Sequence, residues 1–164
     1  MRKLLLIVLG LAAVLPAAAH AATGAIGDGT LSVDDAHGSV AIQARGAVLG
    51  RVAKGSVMIA DLTPDDSSDP SVWGWETAVP RLDGSTTYRG DKMRFRLIGG
   101  SWKIVVKGAG IDISAVGRGK VWLNGDSVDS GVYSTAGDDC RQTPESCQPL
   151  PFGPISFLLG VSKG

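Results

Sequence analysis

The residues best placed for chemistry lie in KMRFRLIGGSWKIVVKG, residues 92–108. Lys92, Arg94, Arg96, Lys103 and Lys107 alternate there with Met93, Phe95, Leu97, Trp102, Ile104 and Val106. Period-two alternation sends apolar side chains to one face of a strand and polar ones to the other. Two such strands meeting at Gly99-Gly100 read as a hairpin, because glycines supply the positive φ that a two-residue turn needs. In that register Leu97 faces Trp102, Phe95 faces Ile104 and Met93 faces Val106, all toward a core. The cations then form one stripe, with Lys92 opposite Lys107 and Arg96 opposite Lys103. A row of guanidinium and ammonium groups suits phosphate, sulfate or carboxylate. Like charges placed opposite each other cost about 0.2–1 kcal/mol per pair. The stripe is therefore either neutralised by acids on neighbouring strands or directed at an anionic partner, an envelope polymer or a membrane surface.

Trp122, in KVWLNGD, is the second candidate. Val121 and Leu123 take the apolar side by alternation, which turns Trp122 outward beside Lys120 and Asn124. An outward indole next to an amide is a platform for a glycan ring or a partner protein; a tryptophan at a sheet edge or under a loop has the same local pattern. Trp73 and Trp75 in VWGWE share a side that the sequence does not specify.

No catalytic residue is assigned. The chain lacks G-x-S-x-G, H-E-x-x-H, the Walker loop and S-x-x-K. KGAGIDISAVGRG has Ile113 where a dinucleotide fingerprint needs glycine, and strands rather than a helix flank it. His37 sits beside Asp34, Asp35 and Ser39, too close in sequence for a relay whose members come from separate elements. A hydrolase with an unfamiliar site stays as a further reading.

Calcium is the one cofactor the residues suggest. Asp61, Asp65, Asp66 and Asp69 in DLTPDDSSDP offer oxygens, as do Asn124, Asp126 and Asp129. Neither spacing is that of an EF-hand, and Asp also favours turns for its own backbone-bonding reasons. Zinc is disfavoured by Cys-x6-Cys spacing and by a single histidine, His37, beyond the first 21 residues.

The elements that must position these groups read as strands. Residues 1–21 have the charged start, apolar middle and Ala19-His20-Ala21 site of a secretory leader. That predicts export to the cell envelope or medium and one all-β domain over residues 22–164. Removing Arg2 and Lys3 leaves 14 basic against 16 acidic residues, net −2, which argues against nucleic acid. Residues 81–120 nonetheless hold nine basic and three acidic residues, so charge is unevenly spread. No run after the leader reaches the 18 apolar residues of a membrane-spanning helix. Cys140 and Cys147 are the only cysteines, and export predicts that they pair.

Helix signals are nearly absent, and short alternating segments recur between glycines. Expected strands are 31–33, 40–45, 57–61, 92–98, 101–107, 111–114, 120–123 and 155–159, with shorter ones at 73–77, 86–89 and 132–134. The polar stretch 63–71 is an expected loop. GSVAIQARGAV, residues 38–48, is echoed by GSWKIVVKGAG, residues 100–110, and the echo extends from Gly38–Asp61 to Gly100–Asp126. An internal duplication follows, folded as an antiparallel β-sandwich or closed barrel. GSVAI recurring as GSVMI after 17 residues keeps a β-helix as a minor alternative.

MRFRLIGG, GIDISAVGRG and GVYS resemble segments of small exported β-rich bacterial proteins with no assigned activity, over Gly29 to Leu159. The resemblance implies the fold and the compartment, and carries over no catalytic residue. The expected function is a non-enzymatic exported binding module, using the basic stripe for anionic polymers or surfaces. The alternative is a carbohydrate or protein contact at Trp122.

Overall fold

The computed structural model of the chain describes residues 28–160, so the expected leader, residues 1–21, lies outside the described residues. Two strands dominate: β1 (Gly29–Asp61) with 33 residues and β4 (Thr86–Gly125) with 40. Short pieces complete the sheet: β2 (Ser71–Trp73), β3 (Thr77–Pro80), β5 (Val132–Ser134), β6 (Gln148–Pro149) and β7 (Ile155–Leu159). A 3-10 turn at Pro144–Ser146 is the one helical element among the described residues. The sheet is antiparallel and does not close into a barrel; the architecture is sandwich-like.

A straight strand of this length would span roughly 130 Å at about 3.3 Å per residue, so β1 and β4 must bend. Pairing shows where. The first layer runs β6, β5, residues 29–36 of β1, 109–117 of β4, 47–52 of β1, 92–98 of β4 and β2. The second runs β3, residues 86–91 of β4, 54–61 of β1, 101–108 of β4, 38–46 of β1, 117–125 of β4 and β7. Each long strand thus crosses between layers several times, as in orthogonally packed sheets whose corners are bent strands.

Glycines make the corners. Gly46 pairs with Gly117, and Gly55 with Gly108. A Cβ on Gly46 would lie 2.2 Å from the Val116 carbonyl oxygen, and one on Gly117 2.2 Å from that of Arg45. The Gly55–Gly108 pair is as tight, at 2.1 Å from each facing carbonyl. Backbones touch there, which only glycine permits. The sequence places these glycines at turns and bulges between short strands, whereas here they bend a strand that continues.

Gly99-Gly100 requires a correction of the same kind. Ala47 pairs with Ile98 and Arg45 with Ser101, so two glycines stand opposite Gly46 alone. That is a β-bulge, which bends a strand, and not a hairpin. Residues 93–98 pair with 47–52 and β2, while 101–107 pair with 39–45 and 56–61. The expected cross-pairs Leu97–Trp102, Phe95–Ile104 and Met93–Val106 are absent, because the two segments belong to different layers. Both glycines take the positive φ expected of them, at 75° and 64°.

Facing follows alternation even though pairing does not. Met93, Phe95, Leu97, Trp102, Ile104 and Val106 are each at most 2% exposed and converge between the layers with Val40, Ile42, Ile111, Val121 and Leu123. Each such side chain contributes about 1.5–3 kcal/mol by leaving water. The Trp102 indole N–H donates to the Gly99 carbonyl, so the bulge supplies the buried ring's polar partner. The Cys140–Cys147 disulfide forms as expected, with Cα atoms 5.8 Å apart. Its loop is held to β1 by Cys140 N–H donating to Ser32 Oγ at 3.1 Å.

Candidate functional site

The five cations of the expected stripe do not share a face. Lys92, Arg94 and Arg96 project from the outer side of the first layer, and Lys103 and Lys107 from that of the second; all five are exposed. The cause is the bulge, which carries the chain from one layer to the other between Arg96 and Lys103. Lys92 does not face Lys107, nor Arg96 Lys103, and the repulsion expected for those pairs does not arise.

On the second layer the cations are spaced by neutral residues. Gln43 stands between Lys103 and Lys120, and Lys107 between Ser39 and Ser56, with Arg89 opposite Ser56. The adjoining row is Trp122, Ala41, Val105 and Met58. Trp122 is half-buried on this face as alternation predicts, with Val121 and Leu123 both 0% exposed beneath. Lys120 Nζ lies 5.1 Å from its ring centroid, a cation–π contact. Among the described residues, Lys103, Lys107, Lys120 and Arg89 make no ion pair. The central outward positions of this face, 39, 41, 43, 56, 58, 60, 103, 105, 107, 120, 122 and 124, hold no Asp or Glu; Asp91, two residues beyond Arg89 and opposite Lys54, is exposed at its edge.

Acids gather at its borders instead. Arg45 and Arg118 are opposite each other, and Arg118 Nε donates to Asp28 at 2.9 Å. Asp66, beyond the corner, feels Arg45, and the Ser68 and Thr63 hydroxyls hold its carboxyl below the usual range. The first layer uses the same device. Arg51 stands between Asp112 and Arg94, and its guanidinium grips the Asp112 carboxylate through Nε and Nη2.

That Asp112 belongs to a cluster missed by the sequence reading. Its carboxylate also accepts the Asp35 N–H at 3.0 Å, where Asp35 takes a positive φ of 49°. Burial opposes ionisation of Asp112, but the Asp35 N–H and Arg51 outweigh it and hold its pKa below the ordinary value. Asp34 moves the other way: burial first, then the Asp112 charge, push its pKa up, while Arg141 at 3.8 Å partly compensates. Residues 34 and 112 are far apart in sequence, and only the register brings them together.

The remaining candidates have local roles. Asp61 accepts Thr63 N–H at 2.8 Å, and Asp66 accepts Thr63 Oγ1 at 2.7 Å and Ser68 N–H at 2.8 Å. These acids close the 61–68 turns; Asp65 and Asp69 are exposed beside them. Among the described residues no three His, Cys, Asp or Glu side chains gather as a metal site. His37 Nε2 lies 3.7 Å from Asp35 Oδ1 at the surface. Trp73 and Trp75 part at Gly74: Trp73 lies on the first layer's outer face opposite Arg94, and Trp75 packs on Tyr88 at 6.3 Å.

Comparison of the chain with protein-family models, curated proteins and solved structures finds no match.

Proposed function

We propose that this chain is an exported, non-enzymatic binding module whose second-layer face takes an anionic polymer of the cell envelope, a charged glycan. Lys103, Lys107 and Lys120 meet its charged groups, Trp122 carries a ring, and Gln43 and Asn124 supply amide hydrogen bonds. One observation carries the reading: Lys120 lies over a half-open indole, and the central strand positions of this face, which also hold Lys103 and Lys107, carry no carboxylate. Uncompensated exposed charge contributes little to folding, and its arrangement around an aromatic suits binding. Export is supported by the leader pattern of residues 1–21 and by the disulfide, which persists in oxidising compartments.

The reading is tested by retention on immobilised dextran sulfate, with neutral dextran as control. Wild-type chain is expected to bind the sulfated resin alone at low salt and to leave it by about 0.5 M, where screening is nearly complete. Trp122→Ala elutes earlier. Passage through the resin at low salt, or equal retention on neutral dextran, removes the proposal; retention lost with Trp122→Ala but indifferent to salt favours the neutral-glycan or protein contact instead.

We also infer that residues 38–61 and 100–126 are copies of one unit. Gly46 and Gly55 recur as Gly108 and Gly117 at a constant spacing of 62, and these four make the two reciprocal corners. Superposing one segment on the other is expected to bring each glycine corner onto its counterpart; corners that fall between glycines contradict it.

A further inference from the structure

The outer face of the first layer carries a groove that the reading above does not use. Its volume is about 540 Å³, within the range of small-molecule sites. The floor is built from two cross-strand rows, one containing Ser114, Leu49 and Arg96, the other Asp112, Arg51, Arg94 and Trp73. Residues 137–139 and Arg141 of the disulfide-bearing loop form a wall.

Most of its polar groups are already committed. Arg51 holds Asp112. Asp138 accepts from Ser134 Oγ at 2.9 Å, and Asp139 accepts from Arg141 N–H at 3.1 Å and Gln142 Nε2 at 2.8 Å. Arg141 faces Asp34 at 3.8 Å. Arg94 and Arg96 are left: two guanidinium groups on the same side of one strand, with no ion pair among the described residues. Beside them Trp73 is 53% and Leu49 44% exposed, an indole and an aliphatic chain open in a concave space.

We propose that this groove binds a small amphipathic anion: a carboxylate, sulfonate or phosphate attached to a flat apolar body. Arg94 and Arg96 hold the charged end, and the body lies against Trp73 and over Leu49. Neither half suffices. An inorganic anion gains little from exposed guanidinium groups in screened solution, and an apolar molecule leaves both cations unused. The two together match the mixture of apolar lining and a few convergent polar groups typical of ligand sites.

The test titrates the full chain with 2-naphthoate, followed by tryptophan fluorescence and by NMR of the indole and amide signals. 2-Naphthylmethanol, which lacks the charge, and inorganic phosphate, which lacks the body, are the comparison probes. Naphthoate is expected to saturate one site, shifting the Trp73 indole and the amides of residues 94–96. Each comparison probe binds at least tenfold more weakly, as does naphthoate to the R94Q/R96Q double variant; Lys103→Gln leaves binding unchanged. Non-saturable binding overturns the proposal, as does affinity retained in R94Q/R96Q, phosphate binding as tightly as naphthoate, or a loss on Lys103→Gln. Both arginines are exposed, so the double variant keeps the fold, and because these residues lie on the opposite face from Trp122, failure here is distinguishable from failure of the polymer reading.

Discussion

Arg51 grips Asp112, and beside that pair Arg141 faces Asp34, which makes a four-charge cluster on the first layer. With the Asp112 side chain only 19% exposed, Arg51→Gln leaves a half-buried carboxylate without its cationic partner. We expect a loss of about 1–3 kcal/mol at pH 7 in urea unfolding. The folded pKa of Asp112 lies below its unfolded value, so this contribution is present above the ordinary carboxylate range and fades as pH falls through the folded value. Asp34 has the opposite sign. Its folded pKa is raised, so its ionised form opposes folding at neutral pH and ceases to do so on acidification. Asp34→Asn is therefore expected to stabilise by up to about 1 kcal/mol at pH 7, with the gain vanishing below about pH 4. A variant less stable than wild type at pH 7 contradicts this assignment. None of this cluster was legible in the sequence, since Asp34, Arg51 and Asp112 look like ordinary outward residues until the register places them side by side.

At the scale of the strand, four glycines decide whether the chain can fold over itself. Gly46→Ala or Gly108→Ala would drive a Cβ to within 2.2 Å of a facing carbonyl oxygen, at a φ near +145°. Either is expected to cost more than about 4 kcal/mol or to abolish folding. Gly84→Ala is the control: φ is +77° but nothing lies within 4 Å, so the penalty is about 1–2 kcal/mol from conformation alone. Thermal unfolding of the variants checks both; corner variants no worse than Gly84→Ala would refute the backbone-contact account. Alternation revealed which side chains enter the core, because facing depends only on local period. It did not reveal pairing. A glycine pair flanked by alternating residues serves a tight turn or a bulge equally well, and the choice belongs to the partner strand. Val132–Ser134 and Ile155–Leu159 coincide with the segments that alternation predicts, because loops, not bends, end them.

The whole molecule is a sandwich with two unlike outer faces, joined by strands that belong to both. The bulge at Gly99-Gly100 divides the five basic residues of 92–107: Lys92, Arg94 and Arg96 go to the first layer, where the arginines enter a walled groove, and Lys103 and Lys107 to an open face around Trp122. Where cations do stand opposite, at Arg45/Arg118 and Arg51/Arg94, a carboxylate attends one of each pair, Asp28 or Asp112. Lys103, Lys107 and Lys120 have no such attendant among the described residues, and the functional account depends on that difference. It is tested most directly by the salt dependence of dextran sulfate affinity for three chains: wild type, K103Q/K107Q/K120Q and R94Q/R96Q. The account predicts that the triple lysine variant lowers the slope of log K against log salt by roughly one per lysine removed, with R94Q/R96Q matching wild type. An unchanged slope for the lysine variant, or an equal fall for the arginine pair, would contradict it.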